Sequence, residues 1–505
     1  MTCRVLYTDA LRCQVTWGWR SVRATNLTWR TRMKRTPLFM SLCLAIVAAA
    51  LAAPCLADDF VGWRTDGTGE YPDANPVTTW SDEQNIIWQT PMPAKSNSLP
   101  TIVGEWLFVC SEPATLICVH RESGTVAWEM PNTPADVAPA EEVADIEAKT
   151  AEFNRLRGEV AKAQKTLRDV RKQLQDDPEN AELKQQNQQV QEQVNALSAQ
   201  LKPLIDTWYV RPVTHDYNGY SSPTPISDGT YVWAVFGNGI AACYDLEGNR
   251  VWARFVEKPV NDWGASNTPV LADGKLILHI NQMRALDPMT GEEIWSQPDA
   301  RWNWGTSWVH YYGDLPVIFT SSGDAVRATD GVILASGLGK LQWGSGPMVE
   351  DGVLYYIDSQ PNGYTSRALR LPETLDEPYA PELIWEITPK QDRYYASPVI
   401  KDGLIYAITQ GNVLTCLDAA TGETVYEQTL DLGKGAIFGS LVLAGDYLMI
   451  MQENGAAIVF RPGREYVEVA KNQLSDMVRS TPVFDGDLMY VRGYENLYCI
   501  GAAEG

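Results

Sequence analysis

The sequence predicts an all-β fold: an eight-bladed β-propeller, with seven blades as the alternative, carrying an inserted antiparallel α-helical coiled-coil hairpin. Three observations predict it. A motif of the form A/C-x-D-x-x-T-G-x-x-x-W recurs along the chain. Upstream of most copies stands a second signal, S/T-P, an apolar pair and D-G. One stretch, 138–206, breaks the pattern with apolar residues spaced by threes and fours. Self-similarity at a fixed period marks a repeat architecture, in which each unit hides its apolar face only against its neighbours.

The first 57 residues stand apart. Met33-Lys34-Arg35 precedes an apolar run from Leu38 to Ala53, then Pro54-Cys55-Leu56-Ala57. A basic start, a short apolar core and small residues before a cleavage point make an export signal. Translation is expected to start at Met33 and cleavage to follow Ala57, which places the protein in the periplasm or outside the cell. The run is too short for a membrane anchor, and no other segment is apolar enough to span a bilayer, so no transmembrane segment is expected in the mature chain. The whole chain carries a net charge of −22; residues 1–57 hold eight basic side chains and one acid, so the remainder carries −29. Such a surface repels phosphate polymers and excludes nucleic acid as a natural partner.

The domain expected from 58 to 137 holds a closing strand and the first blade. Cys118-Val-His120-Arg-Glu-Ser123-Gly124-Thr-Val-Ala-Trp128 is a weak first copy of the motif. Better copies end at Trp252, Trp295 and Tyr426, and Cys499 opens a copy that the chain end truncates. Thr224-Pro225, Thr268-Pro269, Ser397-Pro398 and Thr481-Pro482 each introduce an Asp-Gly pair, at 228–229, 273–274, 402–403 and 485–486. Gly346-Pro347 with Asp351-Gly352 is a variant. Asp-Gly between β-branched runs makes a tight hairpin, and the later T-G turns the chain again. Each unit is therefore a four-stranded antiparallel meander, and its terminal indole is a plate to wedge between adjacent sheets. Units fall near 99–128, 221–252, 264–295, 304–335, 343–385, 395–426, 438–469 and 479–500. The last lacks its fourth strand, and Asn85-Ile86-Ile87-Trp88-Gln89 reads as the missing piece that closes the ring.

In the insertion, 138–206, small or apolar residues fall at Ile146, Thr150, Phe153, Leu156, Val160, Ala163, Leu167, Val170 and Leu174, then Leu183, Asn187, Val190, Val194, Leu197, Leu201 and Leu204 continue the same rhythm. This is the seam of two paired helices. Asp177-Pro178 is expected to start the second. The first, of roughly 36 residues, should be about 50 Å long. The hairpin either projects as a docking arm, for a partner or a second copy, or lies over the propeller. The remaining blades occupy 207–501.

Chemistry-bearing patterns are sparse. His120, His215, His279 and His310 are scattered without metal-ligand spacing. Asp66-Gly67-Thr68-Gly69 lacks the alternating acids of a calcium loop and reads as a turn. Of the chain's nine cysteines, five remain after the expected cleavage, Cys110, Cys118, Cys243, Cys416 and Cys499; the count is odd, and four of them recur at one repeat position, as buried small side chains would. One constellation recurs before most first strands: Tyr220, Trp263, Trp304, Trp343, Tyr395, Phe438 and, in the last unit, Arg479. Symmetry places these residues in a ring, either at one mouth of the channel as a binding surface or between blades as plates.

The repeats resemble the tryptophan-docking repeats of quinoprotein dehydrogenase propellers. They are also similar to the larger group of quinone-repeat-like propellers that bind no quinone, which includes the propeller lipoprotein of the outer-membrane β-barrel assembly machine. Gly62-Trp63-Arg64-Thr65-Asp66-Gly67-Thr68-Gly69 and Ile87-Trp88-Gln89-Thr90-Pro91 are similar to the start of exported members. The resemblance covers about 58–128 and 207–501 and is specific for the fold. Quinoprotein dehydrogenases carry adjacent cysteines over the cofactor and a calcium beside an aspartate base. This sequence has no Cys-Cys and no local motif onto which those residues carry over. The resemblance therefore implies a non-enzymatic, exported scaffold that binds a protein or peptide in the cell envelope and needs no cofactor. A dehydrogenase dependent on pyrroloquinoline quinone (PQQ) with calcium is one alternative. A structural protein self-associating through 138–206 is the other.

Overall fold

The computed structural model describes residues 61–376 and 378–502. The expected export signal lies outside the described residues. Eight separate antiparallel sheets follow one another and number eight blades, not seven: 101–131, 226–255, 270–297, 308–335, 348–387, 399–429, 442–473 and 483–500. The eighth is completed by Ile86–Pro91, which pairs antiparallel with Asn496–Ile500, Trp88 facing Cys499. A strand from before the first blade and one from the last repeat thus share one sheet, and that pairing closes the ring. Asp273-Gly274, Asp351-Gly352 and Asp402-Gly403 turn with positive φ at both residues, the mirror-image turn whose twist matches the strands it joins.

The motif's spacing has a register explanation. In six blades its A/C position faces the aromatic on the next strand: Cys118 Trp128, Cys243 Trp252, Ala285 Trp295, Ala368 Trp385, Cys416 Tyr426 and Cys499 Trp88. A small residue there leaves room for the ring. The indole then leans onto the following blade. Trp88, Trp128, Trp252, Trp295 and Trp385 donate Nε1–H to the carbonyls of Arg121, Leu246, Pro288, Ala328 and Ala419 at 2.8–3.0 Å. Each lies on that blade's turn glycine. A Cβ on Gly291 would come within 2.7 Å of the Trp252 ring, and its φ is +69°. The glycine is required twice over, by the turn and by the ring above it. The five cysteines among the described residues stand free and buried, and burial raises their thiol pKa values, to about 12 for Cys110, Cys118, Cys243 and Cys499.

The S/T-P signal also has a role. Six hydroxyls accept the N–H of the matching residue on the preceding blade: Leu99 to Thr224, Thr224 to Thr268, Thr268 to Thr306, Gly346 to Ser397, Ser397 to Ser440 and Ser440 to Thr481, at 2.8–3.3 Å. This belt ties the innermost strands around the channel. The two places without a hydroxyl hold Leu99 and Gly346. Thr268→Val keeps the shape but strands the buried Thr224 N–H. It is expected to cost about 1–3 kcal/mol by urea unfolding, while Thr268→Ser stays near neutral.

The opening segment plugs the channel. Val61 bridges Ser227 on the second blade, and Glu70–Tyr71 runs parallel beside Leu443–Ala444 on the seventh. Between them Arg64 is fully buried and donates from Nη2 to the carbonyls of Pro398 and Leu441, each at 2.9 Å. Desolvation lowers its pKa to about 10. Asp66 Oδ1 accepts from Thr68 N and Oγ1, so this stretch is the expected turn.

The insertion forms two helices, Val143–Asp176 and Ala181–Ile205. Asn180, not Asp177, caps the second. Its side chain accepts from the N–H groups of Glu182 and Leu183, while Asp177 ends the first helix. An Asn cap satisfies two helix-end donors, and Pro178 is left in the link. The base of the hairpin rests near blades one and two. Among the described residues, no hydrogen bond or ion pair joins 158–200 to the propeller, so this part of the hairpin projects. No helix among the described residues is long and apolar enough to cross a membrane.

Candidate functional site at the channel mouth

The innermost strand of each blade starts at one end of the channel, and the aromatic residues preceding these strands meet there. Six of the seven residues singled out in the sequence line one cavity: Trp263, Trp304, Trp343, Tyr395, Phe438 and Arg479. Neighbours touch around the ring. Trp304 stacks on Trp343 with centroids 5.9 Å apart, Trp343 meets Tyr395 at 5.5 Å, and Tyr395 meets Phe438 at 5.0 Å. The Trp304 Nε1–H donates to the Gly264 carbonyl at 3.1 Å, which ties blade four to blade three. Beneath the rings, Thr224, Thr268, Thr306, Ser440 and Thr481 of the hydroxyl belt line the floor, joined by Trp63 of the plug. The rings pack on their neighbours and also face the cavity.

Tyr220 is the exception. It lies against the hairpin and not at the mouth. Its hydroxyl donates to the Pro212 carbonyl at 2.7 Å, and it lines the cavity that holds Phe153. The cause is Glu112, whose Oε1 accepts the N–H groups of Tyr220 and Ser221 and the Ser221 hydroxyl at 2.7–2.8 Å. Burial holds that carboxyl above its ordinary range despite these bonds. The backbone is pinned so that Tyr217 takes the vacated position. Tyr217 packs on Phe438 at 5.6 Å, and beside it His215 stacks on Trp263 at 4.2 Å. Asn218 Nδ2 donates to the Trp263 carbonyl at 2.7 Å and locks the loop down.

Arg479 is a keystone. Its guanidinium lies 4.6 Å from the Phe438 centroid, 4.7 Å from Tyr217 and 5.5 Å from Tyr494. Glu453 Oε2 accepts from its Nε and Nη2 at 3.1 and 2.8 Å. With its charge matched and its faces covered, it holds rings together and does not offer an open cation. Tyr217 and Trp263 are 43% and 37% exposed, so the ring presents aromatic faces to a visitor. Chemically the mouth can stack against apolar groups and hydrogen-bond through its floor.

Sequence reasoning missed Tyr217, His215, Trp63 and Arg64. The first two lie in the return from the insertion, where the repeat template does not apply. Trp63 and Arg64 stood in view only as part of an opening resemblance.

Comparison with known proteins bears on the fold. A family model described as outer membrane protein assembly factor BamB matches residues 377–505. Among solved structures, BamB from Moraxella catarrhalis aligns with a TM-score of 0.52 at 9% identity, over 82% of this chain and 99% of that one. A quinohemoprotein alcohol dehydrogenase from Pseudomonas putida aligns at 0.50 and 10% identity, over 86% of this chain and 79% of that one. A europium-containing methanol dehydrogenase gives 0.50 and 10%, over 85% and 89%. No curated protein matches. At these identities the likeness is one of fold, a β-propeller of PQQ-type repeats.

Proposed function

We propose that this propeller of PQQ-type repeats is an exported, non-enzymatic scaffold that binds a protein or peptide in the cell envelope through its aromatic mouth. The observation that carries the reading is the half-exposed ring of stacked side chains from Trp263 to Arg479, joined by Tyr217. Rigid aromatic anchors clustered at the centre of a patch are the usual hot spots of protein recognition. The match of the last blades to a family described as an outer membrane protein assembly factor supports the same role. A net charge of −22 on the whole chain favours a basic or neutral partner over nucleic acid. The test is affinity capture from a cell-envelope extract with the intact chain, a mouth variant and a chain lacking 138–206. The mouth variant is expected to lose the captured protein. If all three recover the same partners, the mouth is not the binding face. Light scattering of the intact and shortened chains tests self-association through the hairpin.

The dehydrogenase members of this fold raise the alternative of PQQ with calcium. The residues here do not fit that group. Aromatic faces and hydroxyls line the mouth, where a calcium would need carboxylates. Among the described residues no three His, Cys, Asp or Glu side chains stand close enough to share an ion. The five cysteines among the described residues lie in separate strands, and all are free. Mixing the protein with PQQ and calcium is expected to leave no quinone absorbance after desalting and no dye-coupled alcohol oxidation. A stoichiometric quinone band would favour the dehydrogenase.

A further inference from the structure

A second cavity lies beneath the hairpin. It measures about 490 Å³, against about 120 Å³ at the mouth. It is walled by the segments around 113–114 and 133–135, the first helix from Ile146 to Arg157, the return through Tyr209, Val210 and Arg211, and Tyr220 and Asn238 beyond it. Ile146, Phe153 and Val210 are buried and give it an apolar wall.

Two guanidiniums open onto this wall. Arg155, on the same helix, is clamped by Glu152 and Glu159. Arg157, two residues on, has Phe153, Asn154, Val160 and Ala161 one turn away and no acid. Arg211 lies over the Tyr220 ring at 5.4 Å. Neither Arg157 nor Arg211 has an ion pair among the described residues. One acid, Glu147, lines the same space. The cavity is therefore a locally cationic, apolar pocket on a strongly acidic protein.

We infer that this cavity binds a small amphipathic carboxylate, its alkyl or aryl body against Phe153, Ile146 and Val210 and its head group between Arg157 and Arg211. The volume falls within the range of small-molecule sites, roughly 300–1,000 Å³. A guanidinium matches a carboxylate in shape and charge. Electrostatics make the choice of sign: a cationic ligand meets two unpaired positive charges, and a neutral one leaves them unused.

Octanoate and 1-octanol, titrated into the full chain by calorimetry, test the site. Octanoate is expected to saturate one site and to bind tenfold or more weakly to the R157Q/R211Q variant. 1-Octanol is expected to bind both proteins equally. Ala151→Trp, at an exposed helix position that lines the cavity, fills the space and is expected to abolish octanoate binding with the circular dichroism unchanged. The Trp343→Ala/Phe438→Ala mouth variant is expected to retain it, which separates this site from the mouth. Lack of saturation, equal octanoate affinity in the double variant, or loss in the mouth variant with retention in Ala151→Trp would overturn the inference. Preference for an apolar peptide with a free C-terminus over octanoate would overturn the small-molecule assignment.

Discussion

Trp252→Ala is expected to lower the stability of the propeller by about 3–5 kcal/mol, the range for emptying a buried tryptophan site. Trp252 is 8% exposed and spans the seam between the second and third blades. Its ring lies on Gly291, and its Nε1–H reaches the Pro288 carbonyl at 2.8 Å. Trp233 Nε1 donates to the same carbonyl, so the hydrogen bond is partly shared and the larger loss is packing. The gap cannot collapse, because Cys243 and Gly291 on its two sides are already small, the one held in its strand and the other in its turn. The reciprocal change, Gly291→Ala, pushes a methyl into the ring at a positive φ and is expected to destabilise the same seam. The measurement is the urea midpoint of each variant at unchanged slope. A loss under about 0.5 kcal/mol for Trp252→Ala would mean that the blades do not depend on docked indoles, since that is the range of an ordinary surface change.

The mouth double variant Trp343→Ala/Phe438→Ala is expected to abolish partner capture while the fold survives. Each ring is half-buried and packs on neighbours on both sides. Removing an aromatic anchor from the centre of an interface costs about 2 kcal/mol or more, which is roughly thirtyfold in affinity per residue. Both rings border Tyr395, so the two losses are coupled and the pair is more informative than either alone. Arg479→Lys is the finer probe. It keeps the charge opposite Glu453 but gives up the flat guanidinium stacked on Phe438 and Tyr217, and is expected to weaken capture by a smaller factor. Capture unchanged by the double variant would leave the ring as packing between blades.

Much of the fold was legible because the blades are copies. A small residue facing an indole, a turn glycine beneath the next indole and an Asp-Gly hairpin recur at a set spacing, so one unit explained explains the rest. The closing strand was legible for the same reason, since a truncated eighth copy points to a stray strand carrying Trp88. Six mouth residues were legible because equivalent repeat positions occupy equivalent places in a ring. Local competition already limits this reasoning: Asn180 takes the cap that Asp177 could have supplied, because it reaches two N–H groups of the second helix.

Periodicity alone was enough for the propeller, the order of its blades and the ring of apolar plates, since these depend on chemistry repeated within each unit; eight blades over seven was decided by the sheets themselves. Contacts between distant, unrepeated segments settled the rest. Glu112 turns Tyr220 away from the mouth from 108 residues upstream, and Tyr217 fills its place. Arg64 closes the channel through carbonyls more than 330 residues later in the chain. Arg157 and Arg211 share a cavity only because the hairpin folds back on the blades that precede and follow it. None of these pairings has a sequence period, because each arises once, where a unique side chain meets a backbone that only the closed ring brings near.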